Sequence, residues 1–162
     1  MKRLIIIAAL LIAAILPMKA QFLDGVEIGG SVKCTHQFRE KGFVNVGADI
    51  RATKRFAEWS RIRALVGVNG FIPNGFDRYG YGMVGITADA LPFYVFADFG
   101  LSCNPSGPRT IGMAFDFGVG LDFDIARRWR LYSELAIDRI SSGRLWQSTA
   151  SVNVGAMYSI RK

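Results

Sequence analysis

Residues 110–124 read TIGMAFDFGVGLDFD, and this stretch decides the fold. Its odd positions are Ile111, Met113, Phe115, Phe117, Val119, Leu121 and Phe123, all bulky and apolar. Its even positions are Gly112, Ala114, Asp116, Gly118, Gly120, Asp122 and Asp124, all small or acidic. A strict period of two places successive side chains on opposite faces of an extended strand, so one face here is oily and the other small or charged.

The same alternation recurs on both sides. Seven further stretches carry it, at 26–35, 43–53, 61–72, 79–89, 93–103, 129–140 and 150–160. Short, turn-rich links separate them at 37–41, 54–59, 73–78, 90–92, 104–109, 125–128 and 141–146. Links of this length join neighbouring strands as antiparallel hairpins. The expectation is an all-β, eight-stranded, antiparallel up-and-down barrel.

Composition agrees. The chain has 162 residues, 51% of them hydrophobic and 20% charged, with 18 Gly, 12 Phe and 5 Tyr. That excludes a disordered or nucleic-acid tail protein, and the length supports one domain. Two cysteines make no disulfide framework, and a single histidine offers no His-based metal cluster. No cofactor and no metal are expected. Cys34 and Cys103 fall on the first and fifth strands, on opposite sides of such a barrel, too far apart for an intramolecular bridge.

Residues 1–20 read as a cleavable signal peptide. Met1-Lys2-Arg3 is basic, 4–16 is an apolar run, and Ala20 precedes Gln21. Thirteen residues of helix cover about 20 Å, short of the roughly 30 Å hydrocarbon core. Removal of Lys2, Arg3 and Lys19 leaves 17 bases against 13 acids in 21–162, a net +4 against +7 for the whole chain. The basicity therefore carries no nucleic-acid inference.

Alternation does not say which face points inward, but volume does. The interior of an eight-stranded barrel is just wide enough to be filled by side chains. The oily set is too large for it, and an apolar exterior suits a bilayer. Ile28, Val46, Val66, Phe99, Phe115, Phe117, Val119, Leu121, Leu135 and Val154 are therefore expected to face lipid. Glu27, Asp49, Asp98, Asp116, Asp122, Glu134 and Asp138, with Lys33, Arg51, Arg61, Arg63 and Arg130, are expected to form a paired network in the lumen. Aromatics near strand ends, Trp59, Tyr79, Phe93, Phe123, Trp129 and Tyr158 among them with Phe43, Phe56, Phe71, Phe76 and Trp146, are expected at the two bilayer interfaces. Val119→Arg should then disturb assembly more than Gly120→Ser.

The signal peptide followed by Gln21-Phe22, the segment LPFYVFADFG at 91–100 and FGVGLDF at 117–123 resemble small bacterial outer-membrane β-barrel proteins of the OmpA/OmpX-like eight-stranded kind. The resemblance implies the outer membrane of a Gram-negative bacterium. It also implies contact with outer-membrane lipid and with the barrel-assembly machinery during biogenesis, and a monomeric state. Acyl-modifying enzymes of similar size resemble hydrolases with a late His-x-Ser pair, but His36 is this chain's one histidine and ends the first strand. The expected role is non-enzymatic, membrane-structural or surface-interacting, with a side-chain-plugged lumen and an unspecified surface partner. A narrow pore is the alternative, and a soluble lipocalin-like ligand-binding barrel comes after it.

Overall fold

The computed structural model describes residues 25–38, 44–70, 78–104, 111–142 and 145–160. Residues 1–20, read above as a signal peptide, lie outside them, as do Phe43, Phe71 and Phe76. Eight strands follow one another: β1 (Val26–Gln37), β2 (Val44–Ala57), β3 (Ser60–Asn69), β4 (Tyr79–Ala90), β5 (Phe93–Cys103), β6 (Ile111–Ala126), β7 (Trp129–Ser142) and β8 (Leu145–Ser159). Each pairs antiparallel with its neighbour in sequence, and β8 returns to β1 to close the barrel. Closure removes both sheet edges, so no strand is left with an unpaired ladder.

Several strands run further than their sequence suggested, β2 and β8 the most. β2 continues through Lys54, Arg55 and Phe56 because Lys54 still pairs with Ile62 and Arg55 with Arg61, with an irregularity before Ala57. β8 already begins at Leu145, opposite Ser142. Charged residues that read as punctuation are tolerated in β2 because Lys54 pairs with both Val26 and Ile62, and Arg55 with Arg61.

The barrel has a tight-turn end and a loop end. Glu58-Trp59, Leu91-Pro92 and Arg127-Arg128 make two-residue turns at the first, where β1 also starts and β8 also ends. Burial alternates along every strand. Phe117 is 51% exposed and its neighbour Asp116 only 3%. Val119, Leu135 and Val154 are likewise exposed, while Asp122 is buried. The bulky apolar residues thus stand on the outside and the charged ones on the inside. A continuous apolar exterior, with Ile50 at 70% and Ile111 at 76% exposure, exceeds what a soluble monomer presents to water.

The outward set carries few charges. Among the described strand residues they are Lys54 toward the turn end and Arg139 toward the loop end. Ten residues of β7 separate Trp129 from Arg139. At the usual strand rise and barrel tilt that spans about 25 Å, the height of the apolar band of a transmembrane barrel.

Candidate functional site

The interior is filled with ions whose strands lie far apart in sequence. Glu134 on β7 is fully buried at its centre. Its Oε1 accepts from Arg51 Nη1 on β2 and Arg63 Nη1 on β3, each at 2.7 Å, and from the Tyr94 hydroxyl on β5 at 2.8 Å. Asn153 Nδ2 on β8 donates to Oε2 at 3.2 Å. One carboxylate therefore ties five strands together. Two buried guanidiniums facing one carboxylate need further anions. Asp49 stands 3.2 Å from Arg51, and Asp98 stands 3.0 Å from Arg63.

Two further clusters continue the network. Toward the loop end, Lys33 Nζ donates to Asp138 Oδ1 at 2.6 Å and stands 3.5 Å from Asp116. Asp98, Asp116 and Asp138 occupy directly paired positions on β5, β6 and β7, so three carboxylates line one row and share Lys33 and Arg63. Toward the turn end, Asp122 Oδ2 accepts from Arg61 at 2.6 Å and from Arg130 at 2.9 Å. Arg130 also bridges to Glu27, whose other oxygen accepts from Thr53. All twelve charged residues expected in the lumen line this interior, and Asp89 joins them, 2.9 Å from Arg61. Asp89 shares its strand parity with Thr87 and Tyr81, which is the signal that marks it.

The inner face is less small than the glycines and alanines suggested. Leu65, Tyr79, Tyr81, Met83, Tyr94, Phe96, Tyr132, Ile140 and Met157 are buried inside as well. The rings cover the cations. Arg63 lies over Phe96 at 4.2 Å, Arg51 over Tyr132 at 4.3 Å, Arg61 over Tyr94 at 4.9 Å and Lys33 over Tyr81 at 5.4 Å. Such contacts strengthen when water is excluded, so each ring both fills space and supports a buried charge.

Tyr79 corrects an expectation. It is not an interface aromatic but a buried one, 3% exposed, beside Tyr81 at 6.0 Å and accepting from Asn69 Nδ2 at 2.7 Å. Its parity is that of Tyr81 and Met83, and parity outweighs its place at the strand end. Trp59, Phe93, Phe123 and Trp129 are exposed and Tyr158 half-buried, all at the turn end. Of the residues expected to face lipid, Ile28, Val66, Phe99, Phe115, Phe117, Val119, Leu135 and Val154 are exposed, whereas Val46 and Leu121 are half-buried.

The space left between these groups is small. A cavity of about 20 Å³ between Arg51, Arg61, Arg63, Tyr94, Tyr132 and Glu134 has room for about one water. His36 is exposed in β1, paired with Val44 and Ala150.

Fold and interior together define an eight-stranded barrel with an apolar exterior and an ionic filling, the architecture of small outer-membrane barrels. No family model matches the chain, and no curated protein is similar to it in sequence. Solved structures are similar in fold. Neisserial surface protein A matches with a TM-score of 0.55 at 14% identity, over 83% of this chain and 96% of that one. Ail, the attachment invasion locus protein of Yersinia pestis, gives 0.52 at 12%, over 83% and 98%. The N-terminal β-barrel domain of Pseudomonas aeruginosa OprF gives 0.51 at 11%, over 83% and 98%.

Proposed function

We propose that this chain is an integral outer-membrane barrel whose lumen is closed by its own side chains, and that it serves a membrane-structural or surface-interaction role without catalysis. The four-donor cluster on Glu134 carries this reading. A carboxylate shared by two guanidiniums, a tyrosine and an asparagine from four other strands supports a lumen filled by side chains at that level. Similarity in fold to proteins named for the neisserial surface and for attachment supports the surface role. In this reading the turn end, where β1 starts and β8 ends, faces the periplasm, and the opposite end of the barrel faces outward. Residues 1–20 direct export, the assembly machinery inserts the barrel, and it stands as a monomer in outer-membrane lipid.

Two measurements test the proposal. Membrane fractionation with a heat-modifiable gel shift should find the folded chain in the outer membrane. Recovery in the soluble fraction without detergent would favour a lipocalin-like barrel, a reading that the apolar exterior and the charged interior disfavour. Planar-bilayer recordings should give no steady conductance, and a steady open level would favour the narrow pore. His36→Ala should leave lipid A unchanged, since the positions directly opposite it on the two neighbouring strands are Val44 and Ala150, neither an acid nor a nucleophile.

A further inference from the structure

Arg127 and Arg128 form the β6–β7 turn, fully outside the ionic interior, and the filled lumen gives them no role. They stand at the lower rim of the apolar exterior. Arg128 Nη1 donates to the Tyr158 hydroxyl at 3.1 Å, and the Tyr158 ring packs edge-on against Trp129 at 5.1 Å between centroids. One guanidinium is thereby held at the level of two outward aromatics, where the polar headgroups of a bilayer begin. Tyr158 accepts from Arg128, so its own hydroxyl proton is left to donate to an anionic oxygen. Directly above, toward the belt's middle, Ala156 and Gly30 pair across β8 and β1, flanked in the same row by Leu131 and Ile50. Two small residues between two bulky exposed ones make a shallow dimple in the exterior, bounded along the strands by Ile28 and Tyr158 on the turn side and by Val32 and Val154 beyond.

We infer that Arg127, Arg128, Trp129 and Tyr158 form a headgroup seat for an anionic glycerophospholipid of the leaflet at the turn end. The inference rests on the membrane-spanning reading. A phosphodiester matches the guanidinium geometry, and charge complementarity favours an anionic lipid over a zwitterionic one. Lys54, pointing outward two strands along at the same rim, and exposed Arg55 add to the positive field there, against Glu58 and Asp124.

The test uses the full barrel folded into phosphatidylcholine vesicles, with Trp59→Phe and Trp146→Phe so that Trp129 reports alone. Quenching of Trp129 by dibrominated phosphatidylglycerol is compared with quenching by dibrominated phosphatidylcholine. The expected result is a preference for phosphatidylglycerol of roughly fivefold per arginine at low salt, from the attraction of a base near an anionic headgroup. Arg127→Gln/Arg128→Gln, substitutions on an exposed turn, should remove the share of the preference that the two arginines supply, lowering the ratio severalfold without altering the heat-modifiable shift. A ratio of one in the unsubstituted barrel, or one that the double variant leaves unchanged, overturns the inference alone. A preference abolished by millimolar inorganic phosphate, but not by sodium chloride of equal ionic strength, also overturns it, because the seat then takes a soluble anion. Quenching by neither lipid overturns the membrane reading and this inference with it.

Discussion

Gly120 on β6 lies directly across the ladder from Tyr94 on β5, and a Cβ at 120 would overlap the Tyr94 ring. The tyrosine lies flat over its glycine neighbour inside the barrel, and only a residue without a side chain leaves room for it. The arrangement recurs where Tyr132 faces Gly155 and Tyr81 faces Gly67. Laid over, Tyr94 reaches Glu134 with its hydroxyl and covers Arg61 with its ring. The glycine thus sets the position of the carboxylate's third donor.

Gly120 is accordingly not the neutral comparison for Val119→Arg that alternation alone suggests. Gly120→Val should destabilise the barrel by about 1–3 kcal/mol, the usual cost of overpacking a filled interior. Tyr94→Ala in the same chain should recover part of that loss by making room. Denaturant unfolding of both single variants and the double variant measures the coupling, and simple additivity would contradict the ring-over-glycine contact.

Val119 points outward near the middle of the belt and is 52% exposed. Val119→Arg should cost about 2–4 kcal/mol, the penalty for a base on the lipid face near the midplane, and should reduce the heat-modifiable fraction. Val119→Ala is the suitable control, because it keeps the face apolar and touches nothing in the lumen. Equal assembly of the two would reverse the facing of the strand.

Glu134→Ala should be among the most damaging single changes. It strands Arg51 and Arg63, both buried, with Asp49 and Asp98 alone, and a broken buried ion pair costs about 3–5 kcal/mol. Glu134→Gln keeps the shape and should cost less. Unfolding midpoints rank the pair, and the same variants in planar bilayers report whether the lost carboxylate opens a conducting path.

Cys34 is exposed on the outside of β1, and Cys103 lies four strands away on β5. Both are free thiols, and no internal disulfide should form on oxidation. In intact membranes Cys34 should react with a lipid-soluble maleimide, while a sulfonated, membrane-impermeant maleimide should label it only after detergent solubilisation. Mass shifts after each treatment distinguish the two, and ready labelling from water would move Cys34 out of the apolar belt.

Strand identity and the grouping of side chains by face were legible in the chain itself. A period of two over eight stretches is a local property, and it survives any tertiary arrangement that keeps the strands extended. It even marks Tyr79, whose parity with Tyr81 and Met83 places it inside, although its position at a strand end suggested the interface. The strand ends themselves were less legible. Lys54 and Arg55 look like turn residues in isolation and belong to β2 because β3 supplies their partners.

Alternation, export-like residues 1–20 and an oily face too voluminous for a narrow lumen are all present in the linear order of residues. Pairing is not. Lys33 meets Asp138 across 105 residues, and Arg130 meets Glu27 across 103, because β8 closes on β1. A list of seven acids and five bases is compatible with many pairings, and barrel closure with its register selects one. Three of the interior tyrosines needed the same information, since Tyr81, Tyr94 and Tyr132 each lie over a glycine that the neighbouring strand presents at the same level. Local periodicity decides which side of the sheet a residue occupies, while its partner on that side depends on how distant strands are aligned around the ring.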